Sequence, residues 1–269
     1  MSSFPNPSLP RRQLLRQGGL VLSLGAIVAA CGNRRGSDDP GLLGDAAPAP
    51  TLPKVEVTDV VLLRTLQSLE YTALAVYDVA GKTGQLTADE SALAERFVSD
   101  HMGHAELVGG LITNSGGEQF NCANPFLMDR SVQPILAALK DSDDLHRDVM
   151  NIAHAFESLA ATSYQSLVGL LQDRALRSAT MRIGTEENRH AAVLAAVINP
   201  KQLLSPAFFG EPVEKNADGF PVPYAIPSAF GRLTGIDLVV GARNVEGTRF
   251  GIQLQSPAAN TFVYDYQTC

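Results

Sequence analysis

The sequence predicts an all-α protein whose body is a four-helix bundle with one long crossover. Four segments carry apolar residues at helical spacing, and they cover about 57–80, 88–113, 131–172 and 174–198. The links within the first pair and within the second pair are short, so the members of each pair should be antiparallel neighbours. A longer link, about 114–130, connects the two pairs. This order of short and long links defines the predicted topology.

Capping residues mark the ends of these helices. Thr58 and Thr87 precede the first and second segments, where a side-chain oxygen can accept the free N–H groups of a first turn. Gly81 follows the first segment, and Asn199-Pro200 ends the fourth. We expect the third segment to break near Asp141–Asp144.

The N-terminus has the layout of a bacterial export signal. Arg11 and Arg12 form a twin-arginine pattern, and the apolar run that follows is too short to span a bilayer. The run ends in Ala29-Ala30-Cys31, which resembles a lipoprotein cleavage site and implies lipid attachment at Cys31. Ordinary cleavage that leaves Cys31 unmodified remains the alternative. We expect export by the twin-arginine route to a periplasmic or cell-surface location, with a lipid anchor in the membrane.

Composition divides the chain into four regions. Residues 1–30 form the predicted signal, and 31–55 form a tether rich in Gly, Pro, Asp and Ala. The bundle occupies 56–200, and a C-terminal extension follows at 201–269. The extension begins Pro-rich and irregular, then alternates apolar residues as a β-hairpin does over 232–255. We expect the hairpin to pack on the bundle or to cover it.

The net charge argues against some classes of binding partner, and the cysteine content bears on disulfide formation. The formal net charge is −7, and the predicted signal contains basic residues but no acidic ones, so the rest of the chain is more acidic still. This argues against nucleic acid and against electrostatic docking on anionic lipid. With Cys31 assigned to the anchor, Cys122 and Cys269 remain. In an oxidising compartment they can form a disulfide, but two distant free thiols are equally compatible with the sequence.

The fourth segment places ionisable residues on its apolar face. Glu187 and His190 lie three residues apart and share a helical face with Ile183 and Leu194. An unpaired buried charge is costly, so these side chains should have partners elsewhere in the core.

An internal repeat identifies those partners. The second segment aligns with the fourth and the first with the third, so the two halves are similar helix hairpins. In both the first and the third segments a Glu precedes a Tyr by seven residues, two turns along one face. The aligned pairs are Glu70 with Glu157, Tyr77 with Tyr164, and His104 with His190.

The residue types in this repeat favour a metal site. Two helices that each give one Glu, with two that each give Glu-x-x-His, form the ligand set of di-iron and di-manganese bundles. Carboxylates suit hard cations and can bridge two of them, while imidazole suits iron and related ions. The predicted metal ligands are Glu70, His101, His104, Glu157, Glu187 and His190.

This pattern resembles that of the ferritin-like superfamily, and the sequence is similar to bacterial ferritin-like proteins related to plant desiccation-associated proteins. The resemblance covers about residues 57–200. It implies a ferritin-like four-helix bundle with one or two Fe or Mn ions per chain. The residues that carry it are Glu70, His104, Glu157, Glu187 and His190.

His101 departs from the pattern, because it stands where the second helix should supply an acid. Asp100 is adjacent but points about 100° away from the core-facing stripe. An imidazole does not bridge two metals as a carboxylate does, so we expect Glu187 to be the only bridge from these motifs. The altered half-site is Glu70, His101 and His104, and the complete one is Glu157, Glu187 and His190.

Three further residues are candidates for contact with the ligands. Tyr77 and Tyr164 are either core aromatics or hydrogen-bond partners of the ligating carboxylates. His154 either orients or ligates beside Glu157, or is a partly buried or surface histidine.

These observations leave two function classes open. The favoured one is metal-dependent redox chemistry on a small oxidant, peroxide or dioxygen. The alternative is a non-catalytic envelope protein for stress or desiccation, with a structural or vestigial metal site, for which His101 is the best argument. An iron-storage cage is less favoured, because a lipid anchor and a long tail suit a closed shell poorly. The oligomeric state is not indicated.

Overall fold

The computed structural model describes residues 56–198, 236–255 and 261–269, and it shows the predicted bundle. The helices are α1 (Asp59–Lys82), α2 (Ala88–Asn114), α3 (Pro125–Leu127), α4 (Gln133–Leu139), α5 (Leu145–Val168) and α6 (Arg174–Ile198). The export signal, Cys31, the tether and the Pro-rich stretch lie outside the described residues. In the described ranges, no helix combines the length and the apolarity that a bilayer crossing requires.

The predicted helix starts are confirmed by their caps. Thr58 Oγ1 accepts the Val61 N–H at 3.3 Å. Thr87 and Glu90 form a capping box, in which each side chain accepts a backbone N–H of the other residue. The predicted break separates α4 from α5, and Asp144 caps α5. The boundaries of α6 agree with the prediction at both ends.

The start and the end of the third segment were predicted wrongly. Helical structure begins at Pro125 rather than near 131, inside the stretch assigned to the crossover, and α5 ends at Val168 rather than near 172. Asn124 explains the early start, because its side-chain oxygen accepts two N–H groups of the first turn at 3.1 Å each. A proline at the first helical position needs no N–H partner. A π-helical turn, Met128–Val132, joins α3 to α4.

The apolar core joins the long helices to the C-terminal hairpin. Burying one leucine side chain contributes roughly 1.5–3 kcal/mol, so this cluster is the main source of stability. Its most buried members include Leu63, Leu66, Ile112, Leu159, Leu167, Val240 and Leu254. A second, smaller cluster consists of Tyr77, Phe97, Met150, Ala153 and Leu194.

The C-terminal segment packs on the bundle, as expected. Strands β1 (Ile236–Val240) and β2 (Phe250–Leu254) pair antiparallel in the predicted hairpin. After β1, the Gly241 N–H donates to Asp148 Oδ2 at 2.6 Å. Nearer the C-terminus, the Val263 N–H donates to Thr65 Oγ1 at 2.9 Å. These contacts attach the extension to α5 and to α1.

A disulfide and a buried arginine tie the crossover to the C-terminus. The structure joins Cys122 to Cys269, whose pairing the sequence left open. Arg64, on α1, is 2% exposed. Its guanidinium donates to the carbonyls of Glu118 in the crossover and Gln267 near the C-terminus. Arg64 therefore holds both the crossover and the C-terminal end of the chain against α1.

Candidate metal centre

The core of the bundle contains six ionisable side chains, and each is at most 7% exposed. They come from the four long helices, one each from α1 and α5 and two each from α2 and α6. The structure therefore brings together all six residues that the sequence predicted. They are Glu70, His101, His104, Glu157, Glu187 and His190.

These side chains form two groups of four. Within each group, one nitrogen or oxygen atom from every residue lies within 4.8 Å of the others. Glu187 and His101 belong to both groups, so the two groups are adjacent and overlap at these residues. Group 1 is Glu70, His101, His104 and Glu187, and group 2 is His101, Glu157, Glu187 and His190.

Glu187 directs one oxygen toward each group. Its Oε1 lies 2.7 Å from His104 Nδ1 and 3.6 Å from His101 Nδ1, both in group 1. Its Oε2 lies 3.8 Å from His190 Nδ1 in group 2. This is the arrangement in which a carboxylate can serve two ions at once, as the sequence analysis expected of Glu187.

The sequence predicted that His101 belongs to one half-site only. This prediction is wrong, because His101 belongs to both groups. Its Nδ1 lies 2.8 Å from Glu70 Oε2 in group 1. Its Nε2 lies 3.1 Å from Glu157 Oε1 in group 2. The ring stands between the two groups because it projects from α2 toward the gap between the glutamates of α1 and α5.

Three buried atoms in this cluster fit a cation. His104 Nδ1 and both oxygens of Glu187 have no hydrogen-bond partner among the described residues. His104 Nδ1 and Glu187 Oε1 lie 2.7 Å apart but form no hydrogen bond with each other. Leaving a buried polar atom unsatisfied costs roughly 1–3 kcal/mol. A metal ion accepts such lone pairs directly, and mixed nitrogen and oxygen donors suit first-row transition metals.

Two tyrosines hold the glutamates of α1 and α5 in place. The Tyr164 hydroxyl donates to Glu70 Oε1, and the Tyr77 hydroxyl donates to Glu157 Oε1, both at 2.5 Å. Each tyrosine thus serves the glutamate of the other hairpin. His154, the third candidate, belongs to neither group in the part of the chain that the structure describes.

The pKa values of the carboxylates in the cluster are shifted in opposite directions. Burial opposes ionisation of Glu70, but His101 and His104 outweigh it and lower its pKa to about 2. Burial and the charge of Glu70 raise the pKa of Glu187 to about 7. Burial would lower the histidine values, but the neighbouring carboxylates raise the pKa of His104 to about 10 and that of His190 to about 9. The cluster therefore holds protons that an incoming ion must displace.

Two outer carboxylates contact two histidines of the cluster from the solvent side. Glu186 Oε2 lies 3.2 Å from His104 Nε2, and Asp100 Oδ2 lies 3.4 Å from His190 Nε2. Such partners fix the tautomer and the orientation of ligating histidines. The sequence indicated Asp100 only as a poor ligand and did not predict this contact. The available signal was the repeat itself, because each acid lies four residues before the histidine of its own helix, although each contacts the histidine of the other helix.

Carboxylates and histidines that converge from four helices form an arrangement compatible with a metal site, as in helical bundles that bind metal ions between their helices. A family model described as a ferritin-like domain matches residues 58–200, and the chain belongs to this family. The ferritin-like fold that the sequence predicted is thereby confirmed. Comparisons with curated proteins and with solved structures gave no match.

Proposed function

We propose that the buried cluster binds one or two Fe or Mn ions and uses them in redox chemistry on a small oxidant, peroxide or dioxygen. The observation that carries this proposal is the pair of four-residue groups that share Glu187 and His101. When bound, such an ion supplies one-electron chemistry that no side chain of the cluster provides. Imidazole donors suit iron and carboxylate donors suit manganese, and this kind of ligand set holds Fe or Mn in ferritin-like bundles, which supports these two metals.

The residues of this chain position the ions and limit the access of water. One ion would be held by Glu70, His101 and His104, the other by Glu157 and His190, with Glu187 serving both. Phe97 stacks on the ring of His190 at 4.0 Å and covers that side. The least buried members of the cluster are His104 and His190, at 7% and 5% exposure. A small oxidant would therefore enter between α2 and α6, beside Asp100 and Glu186.

The proposal includes export. Twin-arginine signals, which residues 10–16 resemble, carry folded proteins, so a core site would be filled before the chain leaves the cytoplasm. Cys31 would then anchor the bundle to the membrane through the tether. The expected result for Cys31→Ser is release from the membrane fraction with an unchanged helical spectrum. Persistent membrane association of this variant would contradict lipid anchoring.

A second candidate rests on His101. Its two nitrogens make hydrogen bonds to Glu70 and Glu157, which partly satisfy the core without a metal. This favours a non-catalytic envelope protein, related to stress or desiccation, in which any metal is structural.

Metal analysis of the natively exported protein distinguishes the redox function from the non-catalytic one. About two Fe or Mn ions per chain, together with consumption of peroxide, support the redox function. The variant Glu157→Gln should lose metal, while Glu106→Gln, an exposed change on α2, should keep it. A folded wild-type protein without metal, or with metal and no reaction with peroxide or dioxygen, would contradict the redox proposal.

A further inference from the structure

We propose that His101 bridges two metal ions through its two ring nitrogens, in the place where a di-metal bundle has its fourth acid. The inference rests on the proposed metal binding and adds to it the way in which two ions are linked. It also replaces the expectation that Glu187 is the only bridge.

The position of the ring is the first argument. His101 is fully buried, with 0% exposure, between the two groups. Its Nδ1 meets Glu70 at 2.8 Å and its Nε2 meets Glu157 at 3.1 Å. Atoms that bind one ion at about 2.0–2.2 Å lie roughly 3.0–3.5 Å from each other when they are neighbours around it. Both separations are close to this range, so each nitrogen already stands beside a ligand atom of a different ion.

The hydrogen-bond partners of His101 are the second argument. A histidine that binds one metal usually donates its other N–H to a carboxylate or carbonyl outside the site. His104 and His190 follow this rule, with Glu186 and Asp100 on their outer nitrogens. His101 does not follow it, because among the described residues both of its nitrogens face carboxylates of the cluster itself. In the described part of the chain, neither ring nitrogen of His101 therefore faces an orienting partner outside the cluster, and both are placed as the ligating nitrogens of His104 and His190 are.

Charge balance is the third argument. Four glutamates in a di-metal bundle match the charge of two divalent ions. This cluster has three, and uncompensated charge in a dry core is costly. His101 donates from both nitrogens to carboxylates, so binding through both nitrogens releases two N–H protons to solvent and leaves the ring with one negative charge. The bridge thus restores the fourth charge that the missing acid would have supplied.

Copper(II) is a suitable probe, because two copper spins joined through one imidazole ring couple magnetically. The full chain, stripped of metal, is loaded with copper(II) alone, and bound copper is compared with the intensity of its electron paramagnetic resonance. We expect two coppers per chain in the wild type and a signal well below the copper content. The coupling should persist in Glu187→Gln, which removes the carboxylate bridge.

The variant His101→Gln should lose the coupling and bind its second copper at least tenfold more weakly. His101→Glu, which restores an acid, should recover two coppers, and Glu106→Gln should behave as wild type. Circular dichroism verifies that each variant is folded.

The outcomes separate the two proposals. Failure of the folded wild type to bind copper overturns the metal site itself. Two uncoupled coppers in the wild type, or full coupling in His101→Gln, overturn the bridge and leave the metal site standing. If His101→Gln does not fold, two bound but uncoupled coppers in Glu187→Gln still overturn the bridge.

Discussion

At the residue scale, the outer carboxylates decide how firmly two of the histidines are held. Asp100 contacts His190 Nε2, and it also accepts from Arg96 Nε at 2.8 Å. Glu186 contacts His104 Nε2 in the same way from the other hairpin. These contacts orient the rings so that their Nδ1 atoms face the interior of the cluster.

We predict that Asp100→Asn and Glu186→Gln each lower the metal affinity about 10–100-fold, because the ligating ring loses the negatively charged carboxylate that fixes its tautomer. Competition with a chelator of known affinity measures the change. Glu106→Gln on α2 is the matched control and should have wild-type affinity. Equal affinities in all four proteins would show that the outer carboxylates are only surface charges.

His154 makes stability depend on pH. Burial lowers the pKa of this half-buried histidine to about 4, despite the nearby charge of Glu157. In the unfolded chain its pKa is near 6.5, so the unfolded state takes up the proton first as the pH falls. The contribution of His154 is therefore complete above pH 6.5, falls between pH 6.5 and 4, and is lost below pH 4.

We predict that the wild type loses more unfolding free energy between pH 7 and pH 4 than His154→Gln does, by up to about 3 kcal/mol. Urea unfolding of the metal-free proteins at both pH values measures this difference. Parallel losses in the two proteins would mean that His154 is not the group responsible.

At the scale of elements, Gly184 sets the separation of α5 and α6. A Cβ atom at this position would lie 2.6 Å from Tyr164 Cβ, so the two helices could not keep their distance. Tyr164 is also the residue that holds Glu70. Helix packing and ligand position are therefore linked at this glycine.

We predict that Gly184→Ala costs about 1–3 kcal/mol of unfolding free energy and weakens metal binding, because Tyr164 must move. Gly103→Ala on α2 is the control, since its added Cβ meets no atom within 4 Å. Alanine favours a helix over glycine by roughly 0.8–1.0 kcal/mol, so this variant should be more stable than wild type. A change of the same sign in both variants would contradict the close packing of α5 on α6.

Elements were predictable wherever the signal was local. Thr58 and Thr87 start their helices as expected, because a cap acts within one turn. Asn124 is also a local cap, but glycines nearby and its following proline favoured a loop, so the start of α3 was missed. The Glu–Tyr spacing predicted a shared face correctly. It did not predict that each tyrosine crosses to the other hairpin, because that depends on how the helices pack.

At the scale of the whole molecule, the residues of the centre were predictable and their division into half-sites was not. The repeat selected all six side chains, since an acid or histidine on an apolar stripe needs a partner. The repeat assigned His101 to one half-site, because a sequence repeat relates positions along single helices and not the packing between them. The position of the ring between Glu70 and Glu157 arises from the meeting of three helices.

The central claim is that a metal ion lies within this cluster, and anomalous diffraction tests it most directly. Crystals of the natively purified protein would be measured above and below the Fe and Mn absorption edges. We predict element-specific peaks between the side chains of group 1 and group 2, on either side of the line from Glu187 to His101. Absence of any peak there, or a peak only at surface residues, would contradict the account.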